Sequence, residues 1–140
     1  MSAKMEVCDL MTTEVVTLTE DENLAHAQRC MAQGRIRHLP VVRDQELVGL
    51  VTHRDLLAAS FSVFAEVEAS EQRRIFSTVR VVEIMHRDVV SVPPDLEVSQ
   101  AARILLENKY GCLPVVDSEN GLLGIVTEAD FLRLTVSLLP

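Results

Sequence analysis

The chain writes one seven-residue pattern twice. GLVTHRD occupies residues 49–55 and GIVTEAD residues 124–130, 75 positions apart. The shared letters are a glycine, two apolar residues, a threonine, two variable positions and an aspartate. Around them the halves run in step once Met11 is set against Met85. VCDLM at 7–11 answers VVEIM at 81–85, EVVTL at 14–18 answers DVVSV at 88–92, and LPVV at 39–42 recurs at 113–116. From the Met to the Pro is 29 residues in both copies, and the second copy then gains one residue near Glu119, Asn120 and Gly121. This is a tandem duplication. Its period exceeds the roughly 20–50 residues of a solenoid repeat, so it predicts two halves packed about a pseudo-twofold axis.

Each copy reads as strand–helix–strand–strand–helix. The β-branched run at 15–18 predicts a strand. Thr19 with Glu22 then has the form of a capping box ahead of Leu24, Ala27 and Met31, which recur at helical spacing. The second copy enters its helix through Pro93, Pro94 and Asp95 and shows Val98, Ala101, Ile104 and Leu105 on one face. Gly34 and Asn108 are the expected left-handed helix ends. Strands are expected at 39–43 and 47–51, and at 113–117 and 122–126, each pair leading to a helix that begins at Thr52 or Thr127. The class is α/β (α+β). The repeats fall at 1–60 and 81–140. Residues 61–80, without Gly or Pro, form a helical connector with a short helix near 71–76. Its Phe61, Phe64 and Phe76 pack either on their own repeat or at an interface.

Apolar residues make up 48% of the chain and aromatics 4%, so the core is aliphatic. The net charge of −8 carries no basic stripe, which argues against nucleic acid and anionic membrane surfaces as partners. Cys8, Cys30 and Cys112 are an odd, scattered set without CxxC spacing. That argues against a disulfide framework, a zinc site or a redox sensor. The first residues carry no signal-like apolar run, and no stretch approaches a membrane span. A cytoplasmic protein is expected.

The pattern T-x-x-D admits two readings. Thr52 with Asp55, and Thr127 with Asp130, form capping boxes at helix starts, with Gly49 and Gly124 allowing close packing. Alternatively, the junction is a nucleoside-phosphate grip. Free amides at a helix start favour phosphate, a carboxylate accepts both ribose hydroxyls, and a nearby glycine lets a ligand approach. No nucleophile triad or HExxH pattern accompanies it, so the chain is not expected to be an enzyme. His26 reads as a helix residue, and His86 follows Met85 with no partner in view.

The leading segments, the EVVTL and DVVSV runs, the HLPVV and CLPVV strands and the doubled T-x-x-D junction together resemble a tandem pair of cystathionine-β-synthase-type (CBS) domains, the Bateman module. The resemblance covers nearly the whole chain. It implies a regulatory or sensor module binding AMP, ADP or ATP in clefts between the repeats. Asp55 and Asp130 would hold ribose hydroxyls, and Thr52 and Thr127 phosphate. Backbone near Arg37, His38 and Leu39, and near Gly111, Cys112 and Leu113, would meet adenine, with Val16 and Val90 as apolar walls. It also implies a homodimer, an unidentified target protein and no required cofactor, with magnesium able to accompany ATP. The alternatives are a ligand-independent scaffold and a binder of S-adenosylmethionine or NAD.

The copies are not equivalent. Arg35, Arg37, His38, His53 and Arg54 surround the first junction, where the second has Lys109, Gly111, Cys112, Glu128 and Ala129. Arg suits phosphate and Glu128 opposes it, so the first junction is expected to favour a charged nucleotide. The alternative is that these arginines are solvated surface residues.

Overall fold

The structure, a computed structural model, describes residues 4–64 and 68–140, the side chains of 61–64 excepted. Its elements run α1 (Val7–Leu10), α2 (Leu24–Gly34), β1 (His38–Arg43), β2 (Glu46–Thr52), α3 (His53–Phe64), α4 (Ala69–Phe76), a 3-10 turn (Val81–Glu83), α5 (Val98–Asn108), β3 (Cys112–Val116), β4 (Leu122–Thr127) and α6 (Glu128–Leu138). The class is the expected mixture of helix and strand, with two small antiparallel sheets, β1–β2 and β3–β4. Both hairpins carry an irregularity at the same place. The register shifts between Val41 and Val42, and between Val115 and Val116, leaving Val48 and Leu123 as extra residues of a bulge.

The strands expected at 15–18 and 88–92 are not formed as strands. Each is reduced to one parallel bridge, Leu18 to Val41 and Val92 to Val115. The Leu18 amide donates to the Pro40 carbonyl at 2.9 Å, and the Val42 amide to the Leu18 carbonyl at 2.9 Å. A parallel ladder would next require an N–H from residue 40, which proline lacks. Pro114 stops the second copy in the same way. Val16 and Val90 therefore sit outside any strand and are exposed.

Helix ends differ from expectation by one or a few residues. Thr19 and Glu22 do bond, the Thr19 amide donating to Glu22 Oε1 at 3.0 Å. That turn precedes the helix, whose cap is Asn23, accepting from the His26 amide at 2.8 Å. The left-handed residues are Arg35 (φ 52°) and Lys109 (φ 56°), not Gly34 or Asn108, which stay helical. A non-glycine residue in this region costs on the order of 1 kcal/mol.

The chain forms two compact units, and they are not the sequence copies. One is Val16–Val89; the other joins the segment ending at Val15 to Val90–Pro140. Each unit thus holds most of one copy together with the leading segment of the other. In the first, the amides of Val81 and Val82 donate to the carbonyls of Glu22 (2.7 Å) and Glu20 (3.1 Å), and Leu24 donates to Val79 (3.0 Å). The second repeats this bond for bond. Val7 and Cys8 donate to Leu96 (2.8 Å) and Pro94 (2.9 Å), and Val98 to Met5 (2.9 Å).

Each unit has its own aliphatic core. Leu18, Leu24, Ala27, Met31, Leu39, Val41, Val51, Leu56, Phe76, Val81 and Met85 pack together in the first. Val7, Val92, Ala101, Leu105, Leu113, Val115 and Val126 do so in the second. Phe76, from the expected short helix, is therefore a core residue of its own unit. Phe61 and Phe64 lie outside the described side chains.

The repeated glycines have a physical cause here. A Cβ at Gly49 would lie 2.6 Å from Met85 Sδ and 3.0 Å from the His86 carbonyl oxygen. At Gly124 it would lie 2.7 Å from both Met11 Sδ and the Thr12 carbonyl oxygen. Beside these contacts, His86 and Leu50 exchange backbone bonds of 2.9 and 3.0 Å, as do Thr12 and Ile125. The glycine of one copy is thus the seat of the other copy's leading methionine.

Candidate functional site

The expected site residues fall into two sets, each wholly inside one unit. Val16, Arg37, His38, Leu39, Thr52, His53, Arg54 and Asp55 belong to the first; Val90, Gly111, Cys112, Leu113, Thr127, Glu128 and Asp130 belong to the second. Hairpin pairing brings His38 opposite Thr52, and Cys112 opposite Thr127. The first helical amide then closes each junction. His53 donates to the Arg37 carbonyl at 2.8 Å, and Glu128 to the Gly111 carbonyl at 3.3 Å. Sequence-distant residues of each set are therefore held together at one strand-to-helix corner.

Both aspartates fold back onto their own helix starts. The Thr52 amide donates to Asp55 Oδ2 at 2.8 Å, and the Asp55 amide to Thr52 Oγ1 at 3.2 Å. The Thr127 amide likewise donates to Asp130 Oδ2 at 2.8 Å. These are the capping boxes anticipated from the sequence. The second carboxylate oxygens are also engaged, differently in the two units. Asp55 Oδ1 lies 2.7 Å from His86 Nε2, and Asp130 Oδ1 lies 3.0 Å from Arg133 Nη1. His86, expected to lack a partner, has one. No spacing in the sequence could have found it, because the contact spans 31 residues and depends on the exchanged leading segment.

The rest of each set divides by exposure. Leu39 and Leu113 are fully buried, so only their backbone is available. Arg35, Arg37, His53 and Arg54 are exposed around the first junction, as are Glu128 and Ala129 around the second. Val16 and Val90 are exposed. Among the described residues no cluster of three or more His, Cys, Asp or Glu is placed to hold a metal ion. No described helix is long and apolar enough to cross a membrane.

Cys112 is buried, and desolvation pushes its thiol up to about 12. At pH 8 its thiolate fraction is on the order of 10⁻⁴. An aromatic disulfide reagent should therefore modify exposed Cys8 in the native protein and reach Cys112 only on unfolding. The folded thiol holds its proton after the unfolded one has lost it. The corresponding stability is complete below about pH 9 and is lost as pH rises toward 12. Cys112→Ala should flatten that part of the stability curve, measured by denaturant titration at successive pH values.

The CBS domain family model matches residues 7–62 and again 81–137. The chain belongs to this family, as a tandem pair. It is 36% identical over 127 residues to the uncharacterized protein MJ1225 of Methanocaldococcus jannaschii, covering 89% of this chain and 45% of that one. The chain spans less than half the length of the first curated relatives it matches. Among solved structures it is similar to CBSX2 of Arabidopsis thaliana in complex with AMP (30% identity, TM-score 0.78, covering 95% and 97% of the two chains). It is also similar to the CBS domain pair of protein MJ0100 in complex with 5-methylthioadenosine and S-adenosyl-L-methionine (25% identity, TM-score 0.78, covering 96% and 98%).

Proposed function

We propose that the chain is a regulatory module that binds an adenosine compound at its T-x-x-D junctions and catalyses nothing. The observation that carries this reading is the AMP complex of CBSX2, alike over almost the full length of both chains. The capping geometry is compatible with it. A carboxylate has about four acceptor positions, and the amide of Thr52 or Thr127 uses only one oxygen. The cap fixes the side chain, which is what a hydrogen-bonded diol site needs.

The first junction is the one suited to a nucleotide. Its exposed Arg35, Arg37 and Arg54 can meet phosphate, whereas Glu128 repels it at the second. We assign AMP, ADP or ATP to the first junction, and to the second a weaker or less charged adenosine ligand such as S-adenosylmethionine. Magnesium, where ATP binds, rides on the phosphates. Isothermal titration with AMP should show Asp55→Ala weakening binding roughly 10- to 100-fold, the loss of one or two hydrogen bonds to a charged acceptor. Asp130→Ala should leave that affinity within about twofold. Equal losses would defeat the asymmetry, and no binding of any adenosine compound would favour a ligand-independent scaffold.

The same reading makes the protein a cytoplasmic homodimer whose ligand state is read by a target protein. On α6, Leu132 and Val136 lie one turn apart on the same face and are 67% and 73% exposed. A second copy covering this stripe would remove it from water. Leu132→Asp with Val136→Asp should halve the mass found by sedimentation equilibrium; an unchanged mass argues against this face.

A further inference from the structure

One side chain near the first junction has no counterpart in the second. His86 reaches Asp55 from the leading segment, 31 residues away, whereas Asp130 is held by Arg133 from its own helix. The position aligned with His86 in the other copy is Thr12. Asp55 does not need His86 for its orientation, because the Thr52 amide already fixes the other oxygen at 2.8 Å. The imidazole side chain is 59% exposed against 17% for Asp55, so it lies on the open side of the carboxylate.

We propose that His86 is a specificity-determining residue of the first junction, an internal competitor holding Asp55 Oδ1, the oxygen a ribose diol would take. This rests on the ribose-binding reading above. A nucleoside must then displace the imidazole to bind. Since a polar contact made by an exposed side chain is weak, the competition is mild and reversible. Binding would also free the leading segment of its side-chain tie to α3, so occupancy at the junction reaches residues far away in sequence.

The test uses the full chain with adenosine, which carries the diol without phosphate, and with AMP. Removal of the competitor by His86→Ala should tighten adenosine binding about two- to fivefold, a direction that a merely structural loss does not produce. His86→Gln, which keeps an N–H donor, should return the affinity toward wild type. In proton–carbon NMR spectra, saturating adenosine should move the His86 imidazole signals toward their positions in Asp55→Asn. If Asp55→Ala leaves adenosine affinity unchanged, the ribose reading fails and the competitor with it. If Asp55→Ala abolishes binding while His86→Ala leaves it equal or weaker, or the imidazole signals stay in place, the competitor alone is overturned. The backbone bonds between His86 and Leu50 are untouched by either substitution, and circular dichroism checks that the fold is kept.

Discussion

Gly124→Ala lowers the stability of the chain by about 3 kcal/mol, at the upper end of the range for an overpacked core position. The added methyl carbon would sit 2.7 Å from Met11 Sδ and 2.7 Å from the Thr12 carbonyl oxygen. The sulfur can turn aside. The carbonyl cannot, because it accepts from the Ile125 amide at 3.0 Å, and the Thr12 amide donates to Ile125 at 2.9 Å. Gly49→Ala has the shorter contact, 2.6 Å to Met85 Sδ, but its backbone contact is looser, 3.0 Å to the His86 oxygen. It should cost less, about 1–2 kcal/mol. For a chain of this size the first change should lower Tm by roughly 10 °C in a thermal melt. A double-mutant cycle separates the two sources of clash. In a Met85→Ala background the cost of Gly49→Ala should largely vanish. In a Met11→Ala background most of the cost of Gly124→Ala should remain. Tolerance of Gly124→Ala within about 0.5 kcal/mol would mean that the leading segment does not sit where these distances put it.

Much of this was legible in the letters, and the limits have physical reasons. The periodic apolar positions Leu24, Ala27 and Met31, and Val98, Ala101 and Leu105, are the buried faces of α2 and α5. The T-x-x-D boxes form where the spacing puts them, because a capping box is a contact between residues three apart and needs no tertiary information. The run at 15–18 misleads because β-propensity is local, whereas a strand needs a partner with free N–H groups, and the partner here contains Pro40. Arg35 and Lys109 take the left-handed position although each follows a residue better suited to it; helix length is set by packing, and the residue at that point accepts the strain. The meaning of Gly49 and Gly124 was only half readable. Close packing was an available reading, yet the methionine each glycine admits belongs to the other copy, and self-alignment cannot tell exchange from its absence. His86 was unreadable for the same reason. It enters the first junction only because residues 79–86 pack with the first copy instead of with their own.

Cutting the chain within the connector, after the first sequence copy, and cutting it at the unit boundary should therefore give opposite results. Residues 1–74 and 16–89 are fragments of equal length, and both contain α2, β1, β2 and α3. The first carries the whole leading segment of its own copy, the second that of the other copy. Residues 1–74 lack Phe76, Val81 and Met85, all buried in the core they would have to form. Loss of one such side chain costs on the order of 2–5 kcal/mol, and three together approach or exceed the 5–15 kcal/mol that stabilises a typical domain. They also lose the His86 backbone bonds at Leu50 and the Val79, Val81 and Val82 bonds around Glu20, Glu22 and Leu24. Meanwhile Val7 and Met11 would be left with nothing to bury them, since Leu96, which accepts from the Val7 amide, and Gly124, against which Met11 sits, are absent. Residues 16–89 keep all eleven members of the first core and every one of those bonds. A domain of this length is small, and its stability will be modest. It should nevertheless unfold cooperatively in a circular-dichroism melt and give dispersed amide resonances, while 1–74 does neither. A cooperative transition from 1–74 and none from 16–89 would show that each copy folds on its own leading segment, and the exchange of segments would have to be abandoned.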